Sequence, residues 1–220
     1  MVEVSTSLLS IKKENALATI YELELAKTDY FHIDVMDGKF VEKDTRKEML
    51  EYATIAKNVS NVPLDVHLMV EDIKENILDY VGLEPNIITF HLEAAKNKDE
   101  VMDLINYIKE SNIKVGISIK PDTKVEEVLE FLPYINLLLV MTVEPGKGGQ
   151  KLIPETIEKI KKLKEHIIQN DLELVLEADG GINNETVSEV KNAGIDIMVA
   201  GTAIINSSDY KKEINNLKTK

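Results

Sequence analysis

The sequence contains no cysteine and no tryptophan, and only 5% of its 220 residues are aromatic. Without cysteine the chain cannot form a disulfide, use a thiolate nucleophile or build a cysteine-ligated zinc site. It also has no run approaching the roughly 18 apolar residues that a membrane-spanning helix needs. Disulfide scaffolds, cysteine enzymes and helical membrane proteins are therefore excluded as classes.

Basic residues are also fewer than acidic residues. Lys and Arg number 26 against 39 Asp and Glu, which gives a formal net charge of −13. Such a chain repels nucleic acids and anionic lipid surfaces, so we expect neither as a partner. The opening residues MVEVSTSLLSIKKEN lack the basic, apolar and small-residue segments of a signal peptide, and we expect a cytoplasmic protein.

Short apolar or alternating runs, separated by amphipathic stretches, are abundant. Eight runs are predicted to be strands: 3–9, 29–35, 63–69, 86–91, 113–119, 135–141, 172–178 and 195–200. Several are continuously apolar, as in parallel strands covered on both faces. The alternation continues without a linker, which predicts one (β/α)8 TIM barrel domain over residues 1–220. A doubly wound open sheet is the alternative, disfavoured because no G-x-G-x-x-G follows the first strand.

The clearest helices are predicted at 43–58, 154–169 and 183–194. Pro154 and Glu155 at the start of the second suit a first helical turn. In the third, Asn183 or Asn184 is a candidate N-cap and Gly194 a natural residue just beyond the helix end.

Side chains that can bind a metal stand at the ends of three predicted strands. His32 and Asp34 end the second strand and share a face, His67 ends the third, and Asp179 ends the seventh. Because functional side chains of these barrels collect at the carboxyl ends of the strands, we expect them to converge. Two imidazoles and two carboxylates suit zinc, iron, manganese or cobalt better than calcium or magnesium.

Taken singly, a strand histidine is more often an ordinary core residue than a ligand. His91 stays in that class, with a supporting role beside the ligands as its alternative. Asp65 is either a deeper barrel carboxylate or the partner that orients an imidazole. His166 is expected at the surface of a lysine-rich helix.

Glycines follow the last three predicted strands: Gly146, Gly148 and Gly149 flank Lys147 after the sixth, Gly180 and Gly181 follow the seventh, and Gly201 with Thr202 follows the eighth. Each can simply form a tight turn. Together they also suit a phosphate held by backbone N–H groups and a helix N-terminus. Met36, Met69 and Met141 stand at the same strand ends, either as core residues or as an apolar wall.

Five segments, in order, resemble the signature segments of the ribulose-phosphate 3-epimerase family over nearly the whole chain. They are HIDVMDGKFV, LDVHLMV, KVGISIKPDT, LLLVMTVEPGKGGQKLIP and EADGGINNETVSEVKNAGIDIMVAGTAII. The resemblance implies a ribulose-phosphate-binding (β/α)8 barrel that interconverts D-ribulose 5-phosphate and D-xylulose 5-phosphate in the pentose phosphate pathway. It also implies a homo-oligomer.

For the site, the resemblance implies one divalent ion bound by His32, Asp34, His67 and Asp179, with Asp34 and Asp179 as the two acid–base groups. It implies substrate contacts for Ser7, His67, Gly146, Lys147, Gly148, Gly149, Gly180, Gly181, Gly201 and Thr202. Two such groups suit the reaction, because inverting one carbon requires proton removal from one face and return to the other.

The sequence departs from the family pattern at Thr6, at Lys39 and at Glu42 with Lys43. The last three alter the loop after the second strand, so a six-carbon ketose phosphate such as D-allulose 6-phosphate is an alternative substrate. A catalytically silent sugar-phosphate-binding barrel is the alternative of another class. Lys147 replaces a usual aromatic residue and is either solvated or a charge contact for the phosphate.

Overall fold

The computed structural model describes residues 2–220 and contains one closed parallel barrel. Each strand pairs with the next, and the eighth pairs with the first. The strands are β1 Glu3–Ser7, β2 Tyr30–Met36, β3 Leu64–Met69, β4 Ile87–His91, β5 Lys114–Ile119, β6 Leu137–Met141, β7 Val175–Asp179 and β8 Ile197–Ala200. The predicted (β/α)8 barrel is confirmed, and the open doubly wound sheet is excluded.

Helices cover the outside of the barrel. They are α1 Ala16–Leu25, α2 Arg46–Val59, α3 Ile73–Val81, α4 Lys98–Glu110, α5 Glu155–Gln169, α6 Val187–Asn192, α7 Thr202–Ile205 and α8 Tyr210–Thr219. Within residues 2–220, none of these helices is both long and apolar enough to cross a membrane.

The connection from β5 to β6 differs from the predicted strand–helix alternation. It consists of two 3-10 segments, Val125–Glu127 and Leu129–Tyr134. Pro133 lies inside the second segment, where it lacks an N–H donor and its ring would collide with the carbonyl four residues earlier in an α-helix. Two helices, α7 and α8, follow β8 instead of one.

The helices pack through apolar stripes with helical spacing. On α2 the buried residues are Met49, Tyr52, Ala53 and Ala56, which lie three or four positions apart and form one face of the helix. This face packs against the outer surface of the barrel, and burying a side chain such as Met49 contributes about 1.5–3 kcal/mol. The main hydrophobic core is therefore the layer between strands and helices.

The inside of the barrel is divided between apolar and polar side chains. One apolar cluster joins Ile87, Leu137, Leu139, Met141, Val143 and Ile197. Five fully or almost fully buried polar residues come from β1, β3, β4, β5 and β7: Ser5, Asp65, Thr89, Ser118 and Glu177. Gly116 makes room for one of them, since a Cβ at this position would collide with the Thr89 side chain. The barrel thus encloses a buried polar layer.

Strand register places the metal-capable residues at matching heights. In the pairing of β2 with β3, His32 lies opposite Asp65 and Asp34 opposite His67. Alternate residues of a strand share a face, so all four side chains belong to the same side of this two-stranded segment. A slip of one residue between the two strands would turn one strand's pair of side chains away from the other pair.

Asp37 joins the loop after β2 to the loop after β3. Its Oδ1 accepts hydrogen bonds from the N–H groups of Lys39 (2.8 Å) and Phe40 (2.9 Å), and its Oδ2 accepts one from the N–H of Glu71 (2.8 Å). Burial opposes the charged form, but these backbone hydrogen bonds outweigh it and lower the pKa of Asp37. This one carboxylate therefore fixes two loops beside the barrel mouth.

We expect Asp37→Ala to lower the free energy of unfolding by about 2–3 kcal/mol at pH 7, because three N–H groups lose a charged acceptor. Since the folded-state pKa lies below the unfolded one, this contribution is present above the ordinary aspartate pKa and is lost as pH falls through the folded value. Urea unfolding at pH 7 and in acid measures both effects. Asp72→Asn, at an exposed ion pair with Lys39, is the control and should cost far less, because solvent screens the pair. Equal losses in the two variants would contradict the assigned role.

Candidate active site

Four side chains converge at the carboxyl end of the barrel. The Nε2 atom of His32 lies 3.4 Å from Asp34 Oδ1, 3.3 Å from His67 Nδ1 and 3.8 Å from Asp179 Oδ2. His67 Nδ1 lies 3.7 Å from Asp34 Oδ1 and 3.6 Å from Asp179 Oδ2. The structure therefore brings together the four residues that the sequence nominated as metal ligands.

These separations fit a small divalent ion. Ligand atoms arranged tetrahedrally at the usual distances of about 2.0–2.1 Å from a zinc-like ion lie about 3.3 Å from one another. The four donor atoms in the cluster all lie within 4.8 Å of each other. The donor set of two nitrogens and two carboxylate oxygens is also one that transition metals accept.

Asp65 orients His32, which settles the two roles that the sequence left open for this carboxylate. The Nδ1 of His32 donates to Asp65 Oδ2 at 2.6 Å, and the Ser5 hydroxyl donates to the same oxygen at 2.8 Å. With its hydrogen on Nδ1, a neutral His32 presents the Nε2 lone pair to the cluster. Burial disfavours the charged imidazole, but Asp65 and Asp34 outweigh it and raise the pKa of His32 well above its ordinary value. A proton and a metal ion therefore compete for one lone pair.

Glu177 lies deeper in the barrel and is fully buried. Neither of its carboxylate oxygens has a hydrogen-bond partner among the described residues. Burial raises the pKa of Glu177 well above its ordinary value, and the negative charge of Asp65 adds to this effect. Burial and the charge of Asp65 therefore both favour the protonated form of Glu177, whereas His32 and Ser5 favour the charged form of Asp65.

His91 supports the ligands rather than filling the core passively. Its Nε2 lies 2.9 Å from His67 Nε2, and its Nδ1 lies 3.1 Å from Glu93 Oε2. The ring is fully buried, with the Phe40 ring 4.9 Å away between centroids. Burial lowers the pKa of His91 to about 4, so the imidazole is neutral at pH 7. The sequence pattern gave no role to Glu93, two residues beyond β4.

Asp34 and Asp179 face a cavity of about 270 Å³ at the barrel mouth. The Ser7 hydroxyl donates to Asp34 Oδ2 at 2.6 Å and so fixes the second oxygen of this carboxylate. Burial acts to raise the pKa of Asp34, but His32 and His67 outweigh it and lower that pKa. Asp34 is therefore ionised at neutral pH.

All of the expected substrate contacts except His67 line this cavity together with Asp34 and Asp179: Ser7, Gly146, Lys147, Gly148, Gly149, Gly180, Gly181, Gly201 and Thr202. Met36, Met69 and Met141 line it too and form an apolar wall beside the two carboxylates. His32 and His67 are fully buried and lie behind the lining residues. His166 is half-buried on α5, away from the cavity.

At two positions of the cavity wall the backbone conformation and the close packing require glycine. Gly180 and Gly181 have φ of +117° and +67°. A Cβ at Gly180 would collide with Val143, and one at Gly181 would come within 2.8 Å of Leu152 Cα. The tight-turn interpretation therefore holds for both, and it is compatible with a second use of their backbone N–H groups.

The altered loop after β2 lies mostly outside the cavity. Glu42 and Lys43 line an adjoining surface groove that shares Gly146 and Lys147 with the cavity. Lys39 Nζ forms an exposed ion pair with Asp72 at 3.1 Å. Lys147 is exposed and borders both the cavity and this groove. Ser10, which the sequence did not nominate, also lines the cavity and forms a 3.2 Å hydrogen bond with Thr202.

Solved structures with low sequence identity share the fold. 3-Hexulose-6-phosphate synthase from Salmonella typhimurium superimposes with a TM-score of 0.72 at 15% identity and covers 98% of this chain and 96% of its own. 3-Keto-L-gulonate-6-phosphate decarboxylase from Vibrio cholerae gives a TM-score of 0.69 at 14% identity, with 99% and 95% covered. At such identities the similarity concerns the barrel alone.

Sequence relatives are closer. Ribulose-phosphate 3-epimerase from Helicobacter pylori strain J99 is 38% identical over 219 residues, which covers 99% of this chain and 97% of the relative. The enzyme of the same name from Bacillus subtilis is 36% identical over 219 residues, with 99% of both chains covered. The sequence model of the ribulose-phosphate 3 epimerase family matches residues 3–205. The resemblance seen in the five segments is thus confirmed, and the chain belongs to the ribulose-phosphate 3-epimerase family.

Proposed function

We propose that this protein interconverts D-ribulose 5-phosphate and D-xylulose 5-phosphate by moving a proton at C3. The observation that carries the proposal is the placement of Asp34 and Asp179. Both carboxylates belong to one four-residue cluster, both line one cavity, and they enter it from β2 and β7. Two carboxylates from separate strands can reach opposite faces of one bound carbon, as epimerisation requires.

In the proposed reaction one aspartate removes the C3 proton, and the C3–H electron pair becomes the C2–C3 double bond of an enediolate. The other aspartate enters the step protonated and gives its proton to the opposite face of C3, the carbonyl re-forms, and the configuration is inverted. The Ser7 hydrogen bond holds Asp34 in one orientation during both steps. Because the epimers exchange roles in the reverse direction, each aspartate acts as base for one epimer and as acid for the other.

A carboxylate with a lowered pKa is a weak base toward carbon, so the substrate carbon must be made more acidic. His32, Asp34, His67 and Asp179 would hold the divalent ion, and when bound it supplies Lewis acidity at the substrate oxygens. Met36, Met69 and Met141 exclude water from the reacting carbon, which strengthens these charge interactions. Zinc, iron, manganese and cobalt all suit the donor set.

We propose that the phosphate binds at the glycine-lined end of the cavity. Gly148, Gly149, Gly181, Gly201 and Thr202 line this end, and α7 begins at Thr202. Backbone N–H groups can hold an anion without a fixed positive side chain. Lys147 at the rim can add a direct charge contact.

Family membership also supports the proposals of a cytoplasmic enzyme of the pentose phosphate pathway and of a homo-oligomer. The substrate proposal is a small ketose phosphate, with neither nucleic acid nor membrane as partner.

Asp179→Asn should reduce epimerisation by about 10²–10⁴-fold, because one face of C3 loses its acid–base group. In D2O the variant should still exchange the C3 proton of one epimer through Asp34, without inversion. NMR of each sugar phosphate after incubation measures both events, and metal analysis shows whether the asparagine oxygen still holds the ion. Glu185→Gln, at an exposed acid of the following loop, should leave turnover unchanged. Near-normal epimerisation by Asp179→Asn would refute the assignment.

Removal of the ion by a chelator should abolish turnover, and adding back Zn²⁺, Fe²⁺, Mn²⁺ or Co²⁺ should restore it. A coupled assay on D-ribulose 5-phosphate, with metal content measured on the same samples, provides the test. Full activity in verified metal-free protein would show that the four-residue cluster does not serve the reaction through a metal.

The substrate preference can be tested directly. We expect a higher kcat/KM for D-ribulose 5-phosphate than for D-allulose 6-phosphate, because Lys39, Glu42 and Lys43 lie outside the cavity that holds the catalytic pair. Turnover of both purified sugars under identical conditions decides between them. A preference for D-allulose 6-phosphate would identify it as the substrate. If metal-loaded protein turned over neither sugar, the protein would instead be a catalytically silent sugar-phosphate-binding barrel.

A further inference from the structure

We infer that Glu93 is a positioning residue that acts through His91 to hold His67 in the one tautomer able to bind the metal. The inference deepens the proposed function and rests on it only for the identity of His67 as a ligand. Glu93 follows β4 and neither touches the four-residue cluster nor lines the main cavity. Its influence runs through two hydrogen bonds in series.

His67 is the first residue in this series of hydrogen bonds. Its Nδ1 faces His32, Asp34 and Asp179 at 3.3–3.7 Å, so Nδ1 is the nitrogen that must offer a lone pair to a metal ion. A neutral imidazole then carries its hydrogen on Nε2. That atom lies 2.9 Å from His91 Nε2, and the hydrogen is donated across this contact.

His91 must therefore accept on Nε2 and carry its own hydrogen on Nδ1. Nδ1 lies 3.1 Å from Glu93 Oε2 and donates to it. Because His91 is fully buried, its ring has no solvent with which to form an alternative hydrogen bond. The tautomers of the two rings are consequently coupled, and the group at position 93 sets both.

Glu93 is restricted to accepting by a second set of contacts. Its Oε1 accepts the backbone N–H of Lys120 at 2.8 Å and the hydroxyl of Thr123. The Lys120 N–H is a donor that no rotation can reverse. A carboxylate satisfies donors on both oxygens, whereas an amide has one accepting and one donating end.

The loop that carries these donors is fixed from its other side. Lys159 Nζ, on α5, donates to the carbonyl oxygens of Lys120 (2.9 Å), Pro121 (2.6 Å) and Thr123 (2.6 Å). The donors at Lys120 and Thr123 thus cannot move away easily to accommodate a different group at position 93.

Glu93→Gln should therefore reverse the donor–acceptor direction of the hydrogen bonds from residue 93 through His91 to His67, with almost no change in side-chain shape. The amide oxygen stays with Lys120 and Thr123, so the NH2 group faces His91 Nδ1 and donates to it. His91 then carries its hydrogen on Nε2 and donates to His67 Nε2. His67 is left with its hydrogen on Nδ1, at the position of the metal-binding lone pair.

The test is Zn²⁺ affinity, measured by competition with a chromophoric chelator, which needs neither substrate nor turnover. We expect Glu93→Gln to weaken Zn²⁺ binding by about 10–100-fold. Glu93→Asp, which keeps a carboxylate, should recover part of this loss. Glu126→Gln, at an exposed glutamate of the β5–β6 connection, is the matched control and should bind as wild type does. Unchanged affinity in Glu93→Gln would overturn the inference.

Nitrogen NMR of the histidine rings gives a readout that general loss of packing would not reproduce. In Zn²⁺-loaded wild-type protein, His91 should carry hydrogen on Nδ1 and His67 on Nε2. When both proteins are metal-free, His91 should carry hydrogen on Nδ1 in the wild type and on Nε2 in Glu93→Gln. The opposite tautomer of His91 in the wild-type protein would refute the inference even if the variant failed to fold. Weaker Zn²⁺ binding by the variant, found together with no epimerase activity in wild type, would retain the inference and reject the proposed function.

Discussion

The convergence of four electron-rich atoms at one point is the constraint on which the rest of the site depends. His32 Nε2, His67 Nδ1 and oxygens of Asp34 and Asp179 all lie within 4.8 Å of one another. Such atoms repel unless a cation or a proton lies among them. The arrangement persists because the β2–β3 register fixes three of the side chains and barrel closure brings β7 to the same end.

A cluster of this kind must be held from outside, because each ligand would otherwise turn away. Asp65, which itself accepts a hydrogen bond from Ser5, holds the far nitrogen of His32. His91, which is bonded in turn to Glu93, holds the far nitrogen of His67. These supports require buried polar groups in the barrel interior, where a hydrogen-bonded group is tolerated and an unpaired charge is not. Glu177, whose oxygens have no hydrogen-bond partner among the described residues, is the exception, and burial and Asp65 raise its pKa and so favour its uncharged form.

The cavity separates two kinds of recognition that require different chemistry. At one end, carboxylates and imidazoles concentrate negative charge and lone pairs for a cation. At the other, glycines and the start of α7 present backbone instead of acidic side chains, which suits an anion. The proposed phosphate site is compatible with a net charge of −13, because backbone dipoles act locally and salt screens the more distant charges.

The sequence by itself determined the alternation of strands and helices, the positions of His32, Asp34, His67 and Asp179 at strand ends, and the family. Period-two and helical patterns are local properties of the chain, so they can be read without knowing what packs against what. Only the tertiary structure decided that Asp65 serves His32, that His91 and Glu93 serve His67, and that Lys39, Glu42 and Lys43 lie beside the cavity rather than in it. Those assignments depend on which atoms meet when β2, β3 and β4 pair in register and their loops fold over the barrel end, and spacing along one strand carries no information about the neighbouring one.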